Sequence, residues 1–247
     1  MGHITAVIPV RFGAQRFPGK ALAPILDEPM VSWVIKGVQQ AQLIDHIIVA
    51  TDDERIAQVC RPLDVEVVMT APDLPSGTDR VHAATQEDKN ALIINIQGDE
   101  PLITGELVDS LAAEMRSSVN WDMMTLGREM DHESLHSPNT AKILLDCEQN
   151  AIYFSRFPIP YSREKNPVQP NACLKHIGIY GYKKGFLKKF CETPAQPLES
   201  FEGLEQLRAL YLQARIRVLK VDYQSWGVDT PEDVPLVEDL LRKRNER

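Results

Sequence analysis

Short apolar runs separated by helical segments constrain the fold of this chain more than any other feature. The runs are rich in β-branched residues and cover Ala6–Pro9, Ile47–Ala50, Val65–Met69 and Leu92–Ile96. Such runs are typical of strands buried on both faces of a sheet. The apolar residues from Val31 to Val38 follow the spacing of one helix face, and further helices are predicted over Asp79–Glu87 and Leu107–Met115. The pattern predicts an α/β fold with a mainly parallel, twisted sheet flanked by helices.

The loop after the first run carries three cations and two glycines. Arg11, Arg16 and Lys20 can donate charge-assisted hydrogen bonds to phosphate oxygens, and Gly13 and Gly19 let a ligand approach the backbone closely. The segment matches neither the Walker loop nor Gly-x-Gly-x-x-Gly. The sequence therefore predicts a phosphate-binding loop, and a solvated basic loop is the alternative.

Carboxylates follow two other predicted strands. Asp99 comes directly after the run Leu92–Ile96, and Asp229 lies between a strand and the last predicted helix. Ligands of parallel sheets sit beyond the carboxyl ends of the strands, and Mg²⁺ needs only one or two carboxylates beside nucleotide phosphates. We therefore expect Asp99 and Asp229 to hold a metal. The alternative is that Asp229 caps the last helix and Asp99 satisfies turn amides.

The composition of the chain limits the classes of molecule that it is expected to bind. A formal net charge of −8 argues against nucleic acid, which needs a basic face. No apolar run approaches the length of a membrane span, and no secretory segment opens the chain, so we expect no membrane partner. The four cysteines form no Cys-x-x-Cys pair, which indicates reduced thiols and a cytoplasmic location.

The second half is less regular. Strands are predicted over Met123–Arg128, Ala141–Leu145, Ala151–Phe154, Leu174–Tyr180 and Ile216–Val221, with a helix over Leu204–Leu212. In the C-terminal helix, Thr230 is the predicted N-cap and Pro231 lies in the first turn. We interpret the chain as a single domain with three parts. These cover about 1–125, about 126–225 and 226–247, and the last contains the metal-site loop and the C-terminal helix.

One motif points to a different class of protein. His132-Glu-Ser-Leu-His136 fits the zinc helix of metalloproteases. Two histidines one turn apart share a zinc only on a stable helix and with a third ligand. Because Pro138 follows almost at once, we expect a short surface turn, and a zinc metalloprotease is the least favoured alternative.

Several short motifs in register resemble those of the 3-deoxy-manno-octulosonate cytidylyltransferase family of sugar nucleotidyltransferases. Besides the loop from Val10 to Lys20, they are Ala50-Thr-Asp-Asp53, Ser76-Gly-Thr-Asp-Arg80, Gln97-Gly-Asp-Glu-Pro101, Tyr153-Phe-Ser-Arg156, Lys175-His-Ile-Gly-Ile-Tyr180, Leu204-Glu-Gln-Leu-Arg208 and Gly227-Val-Asp-Thr-Pro231. The resemblance implies a Rossmann-like nucleotidyltransferase fold with an integrated smaller subdomain for sugar binding and dimerisation. It implies that about 1–125 is the nucleotide-binding half and about 126–225 is the sugar-binding part. It also implies a cytoplasmic homodimer that activates the keto-acid sugar Kdo with CTP and Mg²⁺ for lipopolysaccharide biosynthesis.

The same resemblance implies roles for individual residues. Asp99, Asp229 and Lys20 would be catalytic, with the two aspartates binding the metal. The nucleotide would be bound by Arg11, Gly13, Arg16, Lys20, Ser76, Gly77, Thr78, Asp79, Arg80 and Gln97. The sugar would be bound by Arg156, His176, Tyr180, Glu205 and Gln206. Two alternatives stay open, namely a related acceptor such as 8-amino-Kdo and a nucleotide-binding regulator without turnover.

Overall fold

The computed structural model describes residues 2–13, 17–163 and 170–245. Its chain forms two compact units. The first comprises Met1–Ala113 and Ser225–Arg247, and the second comprises Glu114–Gln224. The C-terminal segment thus belongs to the same unit as the loop from Arg11 to Lys20. The assignment of nucleotide and sugar roles to parts of the chain stays a prediction.

The first unit alternates strands and helices along the chain. Its elements are β1 (Ile4–Val10), β2 (Pro24–Ile25), β3 (Glu28–Pro29), α1 (Met30–Gln39), β4 (His46–Thr51), α2 (Glu54–Cys60), β5 (Glu66–Met69), α3 (Gly77–Ala84), β6 (Leu92–Asn95) and α4 (Gly105–Ser117), which continues past Ala113. Short 3₁₀ helices cover Lys20–Leu22 and Arg61–Leu63.

The strands of this unit form the predicted parallel sheet. Their order is β5-β4-β1-β6, and every pair in this run is parallel. The central strand β1 is buried along almost its whole length, which explains why its sequence is a continuous apolar run rather than an alternating one. The prediction of a mainly parallel sheet is therefore confirmed, and the loops that follow β1, β4 and β6 leave the same edge.

The C-terminal segment packs into the core of the first unit. After a 3₁₀ turn over Pro231–Asp233, α9 (Val234–Asn245) buries Val237 and Leu241 against Ile25, Met30 and Leu102. Val228 belongs to the same cluster. This packing fixes the backbone on both sides of Asp229.

Some predicted bounds of the helices in this unit are wrong. The helix predicted over Asp79–Glu87 starts at Gly77, because Ser76 caps it, and ends at Ala84, where the Thr85 hydroxyl bonds to the carbonyl oxygen of Val81 at 2.9 Å. Helix α2 was not predicted. Its N-cap is Asp53, whose side chain accepts a hydrogen bond from the amide of Arg55, and its length of seven residues gives little periodic signal.

The second unit combines an antiparallel arrangement with one parallel pair. Its elements are β7 (Met123–Glu129), α5 (His132–His136), β8 (Lys142–Leu145), β9 (Ala151–Ser155), a 3₁₀ turn (Pro170–Ala172), β10 (Leu174–Lys183), α6 (Lys184–Glu192), α7 (Pro197–Glu202), α8 (Leu207–Tyr211) and β11 (Ile216–Lys220). Strand β7 pairs with β11 in parallel and with β10 antiparallel, and β8 joins β10 to β9.

The helices of this unit depart most from the sequence-based expectation. The helix predicted over Leu204–Leu212 covers only Leu207–Tyr211, and α6 and α7 were not predicted. Helix α6 follows β10 without a turn, and its apolar residues continue those of the strand. The sequence therefore shows no clear change from the two-residue period of a strand to the 3.6-residue period of a helix.

Candidate active site

Four sequence segments meet at one cavity of the first unit. The cavity measures about 440 Å³ and lies at the carboxyl ends of the strands. Its lining residues are Pro9, Val10, Arg11, Phe17, Lys20, Ala21, Met30, Leu74, Pro75, Ser76, Gly77, Arg80, Gln97, Gly98, Asp99 and Asp229. Arg11 and seven other residues that were predicted to bind nucleotide or metal therefore line the same cavity. The seven are Lys20, Ser76, Gly77, Arg80, Gln97, Asp99 and Asp229.

The cation loop is closed by its own backbone. The amide of Gly19 donates to the carbonyl oxygen of Phe12 at 2.9 Å, and Gly19 has a φ of 71°, which disfavours residues with a Cβ. This left-handed turn starts the 3₁₀ helix that carries Lys20. A Cβ at Gly13 would meet no described atom within 4 Å, so nothing on the protein side requires glycine there. Arg16 lies outside the described residues.

Lys20 joins the two predicted metal ligands. Its Nζ lies 2.5 Å from Oδ2 of Asp99 and 3.6 Å from Oδ1 of Asp229, and it donates to the carbonyl oxygen of Val228 at 3.2 Å. One ammonium group therefore contacts both carboxylates. The ammonium therefore offsets part of the negative charge of the two carboxylates from this position.

Backbone contacts hold the two aspartates together. The amide of Val228 donates to the carbonyl oxygen of Asp99 at 2.9 Å, which ties the loop after β6 to the loop before α9. Gly98 lets the loop after β6 pack closely on β1, since a Cβ there would lie 3.1 Å from the carbonyl oxygen of Pro9 and 2.8 Å from Cγ2 of Val10.

The capping role at the last helix belongs to Thr230 and not to Asp229. Thr230 and Asp233 form a capping box at the start of the 3₁₀ turn, and Oδ2 of Asp233 accepts hydrogen bonds from the amides of Asp229 and Thr230. The Asp229 carboxylate is half-exposed and contacts Lys20. The structure therefore gives no support to the alternative in which Asp229 serves as the cap.

The donor set at this cavity fits a divalent cation. Asp99 and Asp229 offer hard oxygen ligands, and both already contact one positive group. No cluster of three or more His, Cys, Asp or Glu side chains suited to a metal occurs in the parts of the chain that the structure describes. A site with two protein ligands suits Mg²⁺, which keeps several waters and nucleotide phosphates in its coordination shell.

A third carboxylate, that of Glu100, follows Asp99 directly in the chain. Glu100 is 9% exposed, and one of its oxygens accepts a hydrogen bond from the Ser225 hydroxyl while the other has no partner among the described residues. Burial raises the pKa of Glu100 to about 7, and the charges of Asp99 and Asp229 add to this effect. The concentration of acidic groups here further favours a bound cation.

The segment from Ser76 to Arg80 forms one wall of the cavity and the start of α3. Ser76 caps the helix by accepting a hydrogen bond from the amide of Asp79 at 3.1 Å. Thr78 is buried and accepts a hydrogen bond from Asn95, so the cavity wall is made by Ser76, Gly77 and Arg80. Of the predicted nucleotide residues that the structure describes, Gly13, Thr78 and Asp79 do not line the cavity.

Arg80 is buried, whereas an arginine in the first turn of an ordinary capped helix would lie on the surface. Its Nη2 lies 3.1 Å from Oδ2 of Asp52, and its Nη1 donates to the Thr70 hydroxyl. Burial lowers the pKa of Arg80, and the Asp52 charge opposes that effect.

Asp52 is a site residue that the sequence reasoning did not single out. Besides pairing with Arg80, its Oδ1 accepts a hydrogen bond from the amide of Phe12 at 3.2 Å. The next residue, Asp53, binds Arg55, whose guanidinium lies 3.5 Å from the centre of the Phe12 ring. The residues after β4 thus hold the cation loop through two contacts with Phe12, the hydrogen bond to Asp52 and the packing of Arg55 on the ring. The position of two acids directly after a strand was the available signal.

The second unit brings together the residues predicted to bind the sugar. The guanidinium of Arg156 donates to three carbonyl oxygens, those of Glu202 at 2.9 Å, Pro138 at 3.1 Å and Gly203 at 3.2 Å. Its backbone amide donates to the Glu202 carboxylate at 2.8 Å. These contacts fix the guanidinium but use only three of its five N–H groups, so donors remain for an anionic ligand.

His176, Tyr180 and Gln206 form one polar and aromatic group. The His176 ring packs edge-on against Phe154 at 5.3 Å between ring centres and lies 5.5 Å from the Tyr180 ring. The Tyr180 hydroxyl donates to Oε1 of Gln206 at 3.4 Å, and Nε2 of Gln206 is buried without a hydrogen-bond partner among the described residues. Such an amide is expected to meet a polar ligand or water.

The titration behaviour of this group follows from its burial. Burial, with a smaller contribution from the charge of Arg156, lowers the pKa of His176 to about 3. His176 is therefore neutral near pH 7 and bonds through Nε2 to the Thr125 hydroxyl at 3.0 Å. Burial also raises the pKa of Tyr180, and the negative charge of Glu205 adds to the rise.

Lys142 is a second residue that the sequence reasoning missed. It is completely buried, and its Nζ donates to the carbonyl oxygens of Ser137, Thr140 and Arg156 at 2.7, 2.9 and 2.6 Å. It holds the backbone of Arg156 and the loop that contacts the Arg156 guanidinium. A lone lysine in an apolar strand was the signal for it.

The His-Glu-x-x-His motif lies on a helix of five residues, α5. Asp131 caps this helix and Ser137 ends it, and His132, Glu133 and His136 are exposed. One turn is too short to hold a zinc site rigidly, and the predicted short surface turn is confirmed. Within residues 2–13, 17–163 and 170–245, no helix combines the length and apolar character needed to cross a bilayer.

Comparison with known proteins agrees with the geometry. The family described as Cytidylyltransferase matches residues 5–216. The 3-deoxy-manno-octulosonate cytidylyltransferase of Bdellovibrio bacteriovorus is 47% identical, with 96% of this chain and 97% of the relative covered. The enzyme of that name from Geobacter sulfurreducens is 42% identical over 97% of this chain and 100% of its own length.

A solved structure of similar fold adds to this comparison. It is described as CMP:2-keto-3-deoxy-manno-octonic acid synthetase complexed with CTP, and it has a TM-score of 0.91 and 35% identity. The match covers 98% of this chain and 99% of that chain. The chain therefore belongs to the 3-deoxy-manno-octulosonate cytidylyltransferase family.

Proposed function

We propose that this enzyme transfers CMP from CTP to 3-deoxy-D-manno-octulosonate (Kdo), giving CMP-Kdo for lipopolysaccharide biosynthesis and releasing pyrophosphate. The observation that carries the proposal is the cavity in which Arg11, Lys20, Asp99 and Asp229 meet. Cations for a triphosphate and carboxylates for its metal are the groups that nucleotidyl transfer needs. The names of relatives 42–47% identical to this chain support the same activity.

The chemistry is a displacement at phosphorus. The anomeric hydroxyl of Kdo attacks the α-phosphorus of CTP, a new P–O bond forms, the bond to the bridging oxygen breaks and pyrophosphate leaves. The hydroxyl proton passes to water. Such transfers depend mainly on positioning and on charge neutralisation. Arg11 and Lys20 line the cavity and are suited to neutralise the departing pyrophosphate. Arg16 stays a predicted partner of the same phosphates.

We assign Mg²⁺ to Asp99 and Asp229. When bound there, the ion supplies polarisation of the α-phosphate and neutralisation of its charge. Glu100 and the hydrogen bond from Val228 to Asp99 keep the two ligand loops together. Ser76, Gly77 and Gln97 supply polar groups of the cavity wall for the cytosine and ribose. Thr78 and Asp79 serve this wall indirectly, through the packing and capping of α3.

The residues proposed for Kdo recognition match its functional groups. Arg156 keeps donors available for the acceptor carboxylate, and the buried Nε2 of Gln206 suits a sugar hydroxyl. His176 and Tyr180 supply neutral hydrogen-bonding groups beside it, and Glu205 lies close enough to Tyr180 to raise its pKa. Together these side chains are suited to a carboxylic acid that also carries several hydroxyl groups.

We also propose a cytoplasmic homodimer. The second unit exposes large apolar side chains, with Phe157 at 71%, Tyr161 at 85% and Phe201 at 89% exposure. A second copy of the chain is the occupant that would cover them. Size-exclusion chromatography with light scattering tests this assignment: twice the chain mass is expected, and Phe201→Glu should shift the mass toward one chain.

The experiment that tests the function is pyrophosphate release from CTP and Mg²⁺ with a panel of 3-deoxy keto acids. Kdo should give turnover and CMP-Kdo in equal amounts with pyrophosphate, and omission of the acceptor should abolish release. Including 8-amino-Kdo decides between the related acceptors. Absence of release with every keto acid of the panel would contradict the proposal and favour a regulator without turnover.

A further inference from the structure

Lys20 holds a position that links the predicted metal ligands to the predicted phosphate site. Its Nζ contacts Asp99 and Asp229 and donates to the carbonyl oxygen of Val228, while its side chain lines the cavity at 20% exposure. The ammonium thus donates two hydrogen bonds, to Asp99 and to the Val228 carbonyl oxygen, and lies within ion-pair distance of Asp229. An ammonium held between two carboxylates must loosen these contacts before it can bind a triphosphate closely.

The two carboxylates face the same constraint. Asp99 accepts its close contact from Lys20 at 2.5 Å, and Asp229 lies 3.6 Å from the same nitrogen. A hard divalent cation would bind the same two carboxylates that the ammonium contacts here. Placing both cations on these two groups would set +1 and +2 charges side by side in a partly buried site, which is unfavourable.

We propose that Lys20 competes with the divalent cation for Asp99 and Asp229, and that the triphosphate relieves this competition by binding the Lys20 ammonium. The proposal rests on the proposed function and adds that the binding of the nucleotide prepares the site for the metal. Lysine suits this exchange because its charge is carried on a flexible chain with rotatable donors. Arg11, also on the cavity wall, provides the cation that receives the nucleotide first.

The exchange makes nucleotide and metal binding mutually dependent. Without a triphosphate, the metal must displace an ion pair and binds weakly. With a triphosphate, Lys20 has a new anionic partner and both carboxylates become available. By linkage, the metal strengthens nucleotide binding by the same factor. The enzyme would therefore load CTP and metal together and bind little free Mg²⁺.

Direct binding of Mn²⁺, a paramagnetic substitute for Mg²⁺, tests the competition without any turnover. Free Mn²⁺ is measured by electron paramagnetic resonance in protein without nucleotide. Lys20→Met should bind Mn²⁺ about tenfold tighter than the original chain, the factor for a lost competing contact of about 1.4 kcal/mol. Lys20→Gln, which keeps a neutral donor, should also bind more tightly. Equal or weaker binding by both folded variants would overturn the proposal.

Matched controls separate the site from general charge effects. Lys36→Met removes the same charge from an exposed ion pair with Glu28 and should leave Mn²⁺ affinity unchanged. Adding Asp229→Asn to Lys20→Met should remove the gain, because the gained affinity depends on that carboxylate. A gain that survives Asp229→Asn, or that also appears in Lys36→Met, would contradict the assignment.

A second measurement tests the role of the triphosphate. A CTP analogue with a methylene group between the α and β phosphates cannot release pyrophosphate, and it should tighten Mn²⁺ binding to the original chain more than to Lys20→Met. Equal tightening in both would contradict the exchange. These outcomes are independent of the acceptor assay. A protein inactive with every keto acid could still show the competition, and an active one could lack it.

Discussion

Asp52 and Arg80 form an ion pair with 3.1 Å between Oδ2 and Nη2, at 11% and 3% side-chain exposure. The other oxygen of Asp52 accepts a hydrogen bond from the amide of Phe12, the residue after Arg11. One carboxylate therefore positions both a buried cation of the cavity wall and the first cation of the loop. The proposed nucleotide site thus includes a supporting residue that does not itself line the cavity.

Asp52→Asn should raise the KM for CTP about tenfold while changing kcat much less, because the loop and Arg80 lose a charged anchor that contacts no reacting atom. Steady-state kinetics with varied CTP provide the measurement. Glu54→Gln is the matched control, since it removes a carboxylate charge from an exposed ion pair with Arg61 and leaves the contacts of Asp52 intact. Similar KM values for both variants would contradict the positioning role.

Lys20→Ala should impair use of the triphosphate far more than folding. The residue lies on a short 3₁₀ turn and its ammonium contacts charged groups of the cavity rather than the apolar core, so the melting temperature should change by only about 2–4 °C. The expected kinetic effect is at least about a tenfold loss of kcat/KM for CTP. Kinetics and a thermal melt on the same preparation measure both. An unchanged KM and kcat would remove this loop from the site.

The imidazole of His176 should stay neutral over the working range of pH. Its folded pKa of about 3 lies below the unfolded value near 6.5, so the unfolded state binds the proton first as the pH falls. His176 therefore lowers stability progressively from pH 6.5 down to pH 3 and has no such effect at pH 7 and above. NMR of the ring protons, assigned with His176→Gln, should show no titration between pH 5 and 8. A midpoint between 6 and 7 would contradict the buried, neutral assignment.

His132→Ala combined with His136→Ala should leave activity and metal content nearly unchanged. Both side chains are exposed on a single turn of helix, and neither makes a contact that the second unit needs for packing. The measurement is turnover together with metal analysis of the purified protein. A large loss of turnover accompanied by loss of bound zinc would favour a functional zinc site at this motif over the expected surface turn.

The fold of the first unit could be predicted from sequence because its signals are strong and local. Strands β1, β4, β5 and β6 are apolar runs, and parallel strands need crossovers. The helices of the second unit could not be delimited in the same way. Helix α7 has six residues and α8 has five, so each is fixed by tertiary contacts such as the buried pair of Arg208 with Glu199.

The candidate site shows the same division. Residues at strand ends, such as Asp99, are visible in sequence because strand position and residue type point to the same edge. Asp52 and Lys142 act through hydrogen bonds to backbone groups far along the chain, and no spacing rule reveals such partners. The contact of Lys20 with Asp99 was also not predicted, since Lys20 was expected to bind phosphate and to be catalytic but not to pair with the metal ligands.

The central claim is that Asp99 and Asp229 together hold the metal that makes transfer possible. The most direct measurement is kcat of Asp99→Asn and Asp229→Asn at saturating Mg²⁺, CTP and Kdo, with folding checked by circular dichroism. Asparagine keeps the shape but removes the charge that a hard cation needs. The account predicts that each variant loses about a thousandfold in kcat, or about 4 kcal/mol of transition-state stabilisation. Near-normal turnover of folded Asp229→Asn would contradict it.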